Sequence, residues 1–65
     1  MKVINETIEG KFYFLLAEGE ALCVNSVIKY KEENCRVLSC WSFINEPEKF
    51  KTKLLRLKPS AINII

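Results

Sequence analysis

The sequence predicts a mainly β domain of the α+β kind, a small antiparallel sheet of four or five strands with one short helix in its last third. Three observations predict it. Turn signals recur at short, regular intervals, at Glu9-Gly10, Glu18-Gly19-Glu20, Glu32-Glu33-Asn34 and Asn45-Glu46-Pro47. The segments between them are rich in β-branched and aromatic residues, the composition of strands. Beyond Ile44 the spacing of apolar residues changes from two towards the helical period.

Residues 3–8 and 11–17 read as the first two strands, and residues 21–31 and 35–44 as the third and fourth. The last two can be set in register as a hairpin. With Glu33-Asn34 as a two-residue loop, Tyr30 faces Val37, Ile28 faces Ser39, Ser26 faces Trp41 and Val24 faces Phe43. One face then gathers Leu22, Val24, Ile28, Tyr30, Val37, Trp41 and Phe43, with two serines as its polar members. A slip of one residue would split the aromatics from the aliphatics, so this register is favoured. The opposite face carries Cys23, Val27, Leu38, Cys40 and Ile44 towards one end and Lys29, Lys31 and Arg36 towards the other. Such a face expects partial cover, from the same chain or from a neighbour.

Residues 46–57 are read as the helix. Asn45 suits an N-cap, Pro47 suits the first turn and Glu48 lies where a capping carboxylate bonds back. Phe50, Leu54 and Leu57 recur at i, i+4 and i+7, and Pro59 stops the element. A rival reading makes residues 49–58 a fifth strand, because Lys49-Phe50-Lys51-Thr52-Lys53-Leu54 also alternates. The Leu54-Leu55 pair breaks that alternation and favours the helix. Strand number and size then suit a meander or an SH3-like open barrel, a description that carries no function. The closing stretch, with Ile62, Ile64 and Ile65, wants cover from the first strand or from a second subunit.

Length and composition bound the rest. The chain has 65 residues, so residues 1–65 are expected to form one small domain, and Met1 points to a complete small protein. There is no His, Asp or Gln. Without His the commonest general base and metal ligand are missing, and triads of the Ser-His-Asp or Cys-His type cannot be built. Glutamate pairs such as Glu18 and Glu20, or Glu32 and Glu33, sit at turns where a carboxylate stays solvated. No enzyme activity is expected.

The three cysteines, Cys23, Cys35 and Cys40, have no C-x-x-C spacing. They fit neither a zinc site nor a disulfide framework, and read as small apolar residues in a reducing cytoplasm. No cofactor or metal is expected. The longest apolar run, residues 12–17, is too short for a transmembrane helix, which needs about 20 residues. Asn5-Glu6-Thr7 matches a glycosylation acceptor but lacks the secretory signal that would give it meaning.

Charge is unevenly spread. Residues 1–27 hold two lysines against four glutamates, a net of −2, and residues 28–65 hold eight basic residues against four glutamates, a net of +4. The function expected first is that of a non-enzymatic binding protein working by protein contact or self-assembly. Its motives are the 49% apolar content and an interface formed by Leu38, Cys40, Ile44, Ile62, Ile64 and Ile65. The alternative is a small nucleic-acid-binding barrel using Lys29, Lys31, Arg36, Lys49, Lys51, Lys53, Arg56 and Lys58. Phe12, Tyr13, Phe14, Trp41 and Phe43 could serve as stacking platforms there, although the hairpin register assigns Trp41 and Phe43 to the core.

Overall fold

Alternation in the second apolar segment decides which face becomes core. Tyr13, Leu15 and Ala17 are buried to 3% exposure or less, while Phe12, Phe14 and Leu16 between them point the other way. The computed structural model describes residues 1–57 of the chain. Its strands are β1 (Lys2–Glu9), β2 (Phe12–Glu18), β3 (Val27–Tyr30), β4 (Glu33–Ser42) and β5 (Lys49–Arg56). They pair antiparallel in the order β1-β2-β5-β4-β3 and curl into a half-barrel.

The expected antiparallel open sheet is therefore present, without the helix. Residues 49–56 form β5, which fills the centre of the sheet and pairs with β2 on one side and β4 on the other. Partners on both sides satisfy its backbone and let Phe50, Thr52 and Leu54 point into the core. Leu55, which breaks the sequence alternation, faces out between Phe12 and Arg36. Pro47 is not a helix-start residue here. It follows Glu46 in a turn closed by the Lys49 N–H donating to the Glu46 carbonyl at 2.9 Å, where proline's fixed φ suits the second position.

The β3–β4 hairpin is shifted from the expected register by four residues. Tyr30 pairs with Glu33 and Ile28 with Cys35, and the loop is Lys31-Glu32, with φ of +52° and +63°. Positive φ at both central residues is the demand of a type I′ turn, which normally selects Asn-Gly. Because four is even, Ile28, Tyr30 and Val37 still share the core face. Further along, β4 slips against β5 between Val37 and Ser39, and Leu38 is the extra residue of this bulge. That one residue reverses the parity of everything after it. Trp41, expected in the core, turns outward and is 51% exposed, whereas Cys40, expected on the opposite face, packs against the core.

Buried Phe50, Leu54, Val37 and Cys35 occupy the concave side, with Tyr13 and Leu15. Each large apolar side chain so placed contributes roughly 1.5–3 kcal/mol relative to exposure. Thr52 is the buried polar member, and its hydroxyl donates to the Ser39 carbonyl beside the bulge at 2.7 Å. Residues 21–26, expected as strand, form a connecting segment laid along β4. The Asn25 N–H donates to Val37 and the Val37 N–H to Ser26, at 2.7 and 2.9 Å. Leu22 from this segment covers the core, and its N–H lies 3.4 Å from the Cys40 sulfur.

Candidate functional site

Two adjoining groups of charged residues meet around the Tyr13 and Tyr30 rings, whose centres are 4.9 Å apart. In the first, Arg56 of β5 reaches Glu33 of the neighbouring β4, with Nε and Nη2 donating to the two carboxylate oxygens at 2.8 and 3.0 Å. The guanidinium lies 5.0 Å from the Tyr13 ring centre, and Tyr13 also donates to Glu33 at 3.3 Å. Burial pushes the Tyr13 phenol above its ordinary range, with Arg56 opposing and Glu33 assisting. In the second group, Tyr30 donates to Glu6, and the Lys31 ammonium sits 3.0 Å from the same carboxylate. The bonds from Tyr30 and Lys31 hold Glu6 below the usual carboxylate range. A carboxylate stabilised in this way is a poor proton donor near neutral pH.

The outer face is different. Cross-strand partners set out its two middle rows: Thr7, Phe14, Lys53 and Ser39 in one, and Asn5, Leu16, Lys51 and Trp41 in the next. These eight residues line a shallow depression of about 480 Å³. None of the eight is a carboxylate; the outer-face acids of β1 and β2, Glu9 and Glu18, lie in the rows to either side.

Packing holds the two lysines in place. The Lys53 ammonium lies 4.7 Å from the Phe12 ring centre and 5.4 Å from that of Phe14, and Lys51 lies 5.7 Å from Trp41. Such contacts attract a cation through the ring quadrupole, by about 0.5–1 kcal/mol at an exposed site. Among the described residues no ion pair involves Lys51 or Lys53. Trp41 rests edge-on against Phe43, with ring centres 5.1 Å apart and planes at 65°. A second depression continues from Leu16 and Trp41 past Phe43 to Ile44, which is 96% exposed.

The basic residues anticipated from sequence divide into two sets. Lys51 and Lys53 share the centre of the outer face, and Lys29 and Arg36 extend it over β3 and β4. Lys31 pairs with Glu6, Lys49 with Glu46 at 2.8 Å, and Arg56 with Glu33. Lys58 lies outside the described residues. Of the anticipated protein interface, Leu38 sits in the bulge, Cys40 packs inward and Ile44 stands in the β4–β5 loop. Ile62, Ile64 and Ile65 lie outside the described residues. Sequence reasoning did not pair Phe12, Phe14 and Trp41 with the two lysines, because that pairing needs β5 between β2 and β4. The clue was the alternation of Lys51 and Lys53 with Phe50, Thr52 and Leu54.

Among the described residues no group of three or more Cys and Glu side chains is arranged to hold a metal ion. No helix there is long and apolar enough to cross a membrane. No family model, no curated protein and no solved structure matches this chain.

Proposed function

We propose that the protein is a non-enzymatic nucleic-acid-binding module that uses the outer face of its sheet. The observation that carries this reading is the pair Lys51 and Lys53 set among Phe14, Leu16 and Trp41, with no carboxylate in their two rows. Lysines on edge strands often serve to prevent sheet-to-sheet pairing. β5 is the central strand, so its lysines have no edge to protect. Lys29 and Arg36 widen the basic surface, and three free cysteines suit a reducing, cytoplasmic setting.

The test is fluorescence anisotropy of labelled oligonucleotides, single-stranded and duplex, at low salt. Binding that weakens with added salt, and is lost in the Lys51→Glu/Lys53→Glu variant with unchanged circular dichroism, supports the reading. Absence of binding to either form overturns it.

The protein-contact reading is favoured by Ile44, which projects almost wholly into solvent beside Trp41 and Phe43. Sedimentation at several concentrations tests it. A mass that stays monomeric removes self-assembly.

A further inference from the structure

The outer face is suited to one form of nucleic acid more than another. Resting on the reading above, we infer that it takes a single strand, with unpaired bases stacked on Trp41 and Phe14 and the adjoining phosphates drawn to Lys51 and Lys53.

Duplex bases are stacked on one another and present only their edges in the grooves, so a protein ring cannot lie against their faces. Trp41 and Phe14 are 51% and 36% exposed on an open face, where only an unstacked base can reach them. The module also lacks a suitable reader for the major groove. Among the described residues there is no helix, and the tip of the β3–β4 hairpin carries Glu32 and Glu33, with Lys31 already held by Glu6.

The two lysines are poised instead of free. In the unbound protein each ammonium lies over the rings that a base would cover, at 5.7 Å for Lys51 on Trp41 and 5.4 Å for Lys53 on Phe14. A base settling on the ring displaces the ammonium, and the flexible stem carries it to the phosphate of the same nucleotide. The cation–ring contact is thereby exchanged for a charge-assisted one. Lys51 and Lys53 are two residues apart on one strand, about 7 Å, so two neighbouring nucleotides can be held in the same way. Asn5, Thr7 and Ser39 stand in the same rows, where their amide and hydroxyl groups can meet base edges.

The experiment uses the chain's only tryptophan as its reporter. A mixed-sequence 12-mer and the same sequence as a blunt duplex are titrated into the protein while Trp41 emission is followed. The expected result is saturable quenching by the single strand and an affinity at least about tenfold above that for the duplex. Trp41→Phe should retain most of the single-strand affinity by anisotropy and Trp41→Ala should lose it. Replacing Lys51 and Lys53 by Gln should lower the slope of log affinity against log salt by about 1.4. Equal binding of both forms without quenching, or tighter binding of the duplex, overturns the single-strand inference and leaves the nucleic-acid reading standing. Binding of neither form overturns both.

Discussion

The Tyr30 hydroxyl donates a hydrogen bond to the Glu6 carboxylate, and that bond joins β3 to β1, the two edges of the sheet. No backbone ladder connects these strands, so the half-barrel is drawn together at this seam by side chains. Tyr30 also packs edge-on against Tyr13, with ring centres 4.9 Å apart. A phenol fixed by packing and donating to an ionised acceptor makes one of the stronger classes of hydrogen bond.

Stability should therefore fall at both ends of the pH scale, and Tyr30→Phe should remove part of both effects. The Tyr30 and Lys31 hydrogen bonds hold Glu6 below its ordinary value of 4.5 in the folded state. Its contribution is intact above that value and is lost as pH falls through the native one. Desolvation, then the bond to Glu6, raises the Tyr30 phenol above its ordinary 10.0. That contribution is intact below 10.0 and is lost as pH rises towards the native value. At neutral pH Tyr30→Phe should cost about 1 kcal/mol. Melting temperatures of both proteins from pH 3 to 11 check this, and a gap that does not narrow at either extreme would contradict it.

The three thiols should differ sharply in reactivity. Cys23 is exposed, Cys40 is half-buried and Cys35 is fully buried. Burial, and to a lesser degree the neighbouring Glu33 charge, pushes the Cys35 thiol up, so little thiolate is present for attack. Mass spectrometry after brief treatment with iodoacetamide should find Cys23 modified first. Cys35 should become modified only when the protein is unfolded. Rapid native labelling of Cys35 would place it outside the core.

Phe50 and Ile44 are both large and apolar, and their substitution should have opposite consequences. Phe50 is wholly buried, so Phe50→Ala should cost about 3–5 kcal/mol. A domain of this size has roughly 3–10 kcal/mol in total, and the variant should be largely unfolded at 37 °C. Ile44→Ala, at a position 96% exposed, should change stability by less than about 0.5 kcal/mol. Urea unfolding followed by circular dichroism distinguishes the two.

The elements legible in the sequence were those set by local contrast. β1 and β2 carry their alternation and their turn on the surface of the sequence, with Gly10 supplying the φ of +59° that opens the loop between them. β5 was misread because its strand character comes from partners far away in the chain. Tyr13 and Val37 both flank Leu54, and nothing near Leu54 in sequence announces either. The outward Leu55 then looked like a helical residue when its true neighbours are Phe12 and Arg36.

The candidate site was legible in its charge and illegible in its geometry. Lys51 and Lys53 were visible as part of a basic region. The bulge at Leu38 was not, and it is this bulge that turns Trp41 outward to meet Lys51. Arg56 and Lys31 looked equally available in sequence. Glu33 becomes a neighbour of Arg56 only when β4 pairs with β5, and Glu6 of Lys31 only when the sheet curls.

The Lys31-Glu32 turn is what places Lys31 beside Glu6 at this seam. Lys31 and Glu32 both hold positive φ, where a side chain's Cβ meets the following carbonyl at a cost of about 1–2 kcal/mol per residue. Lys31 has an offsetting contact, the 3.0 Å ion pair with Glu6. Glu32 is exposed, and no hydrogen bond or ion pair anchors its carboxylate among the described residues. Glu32→Gly removes the steric cost at that position, while glycine's greater freedom in the unfolded chain takes back about 0.5–1 kcal/mol. The net expectation is a gain of about 0.5–1 kcal/mol, read as a higher urea midpoint with an unchanged slope. Lys31→Gly relieves the same strain but breaks the pair with Glu6, so it should gain less. If Glu32→Gly destabilises the protein, the left-handed turn at Lys31-Glu32 is not the conformation that closes this hairpin.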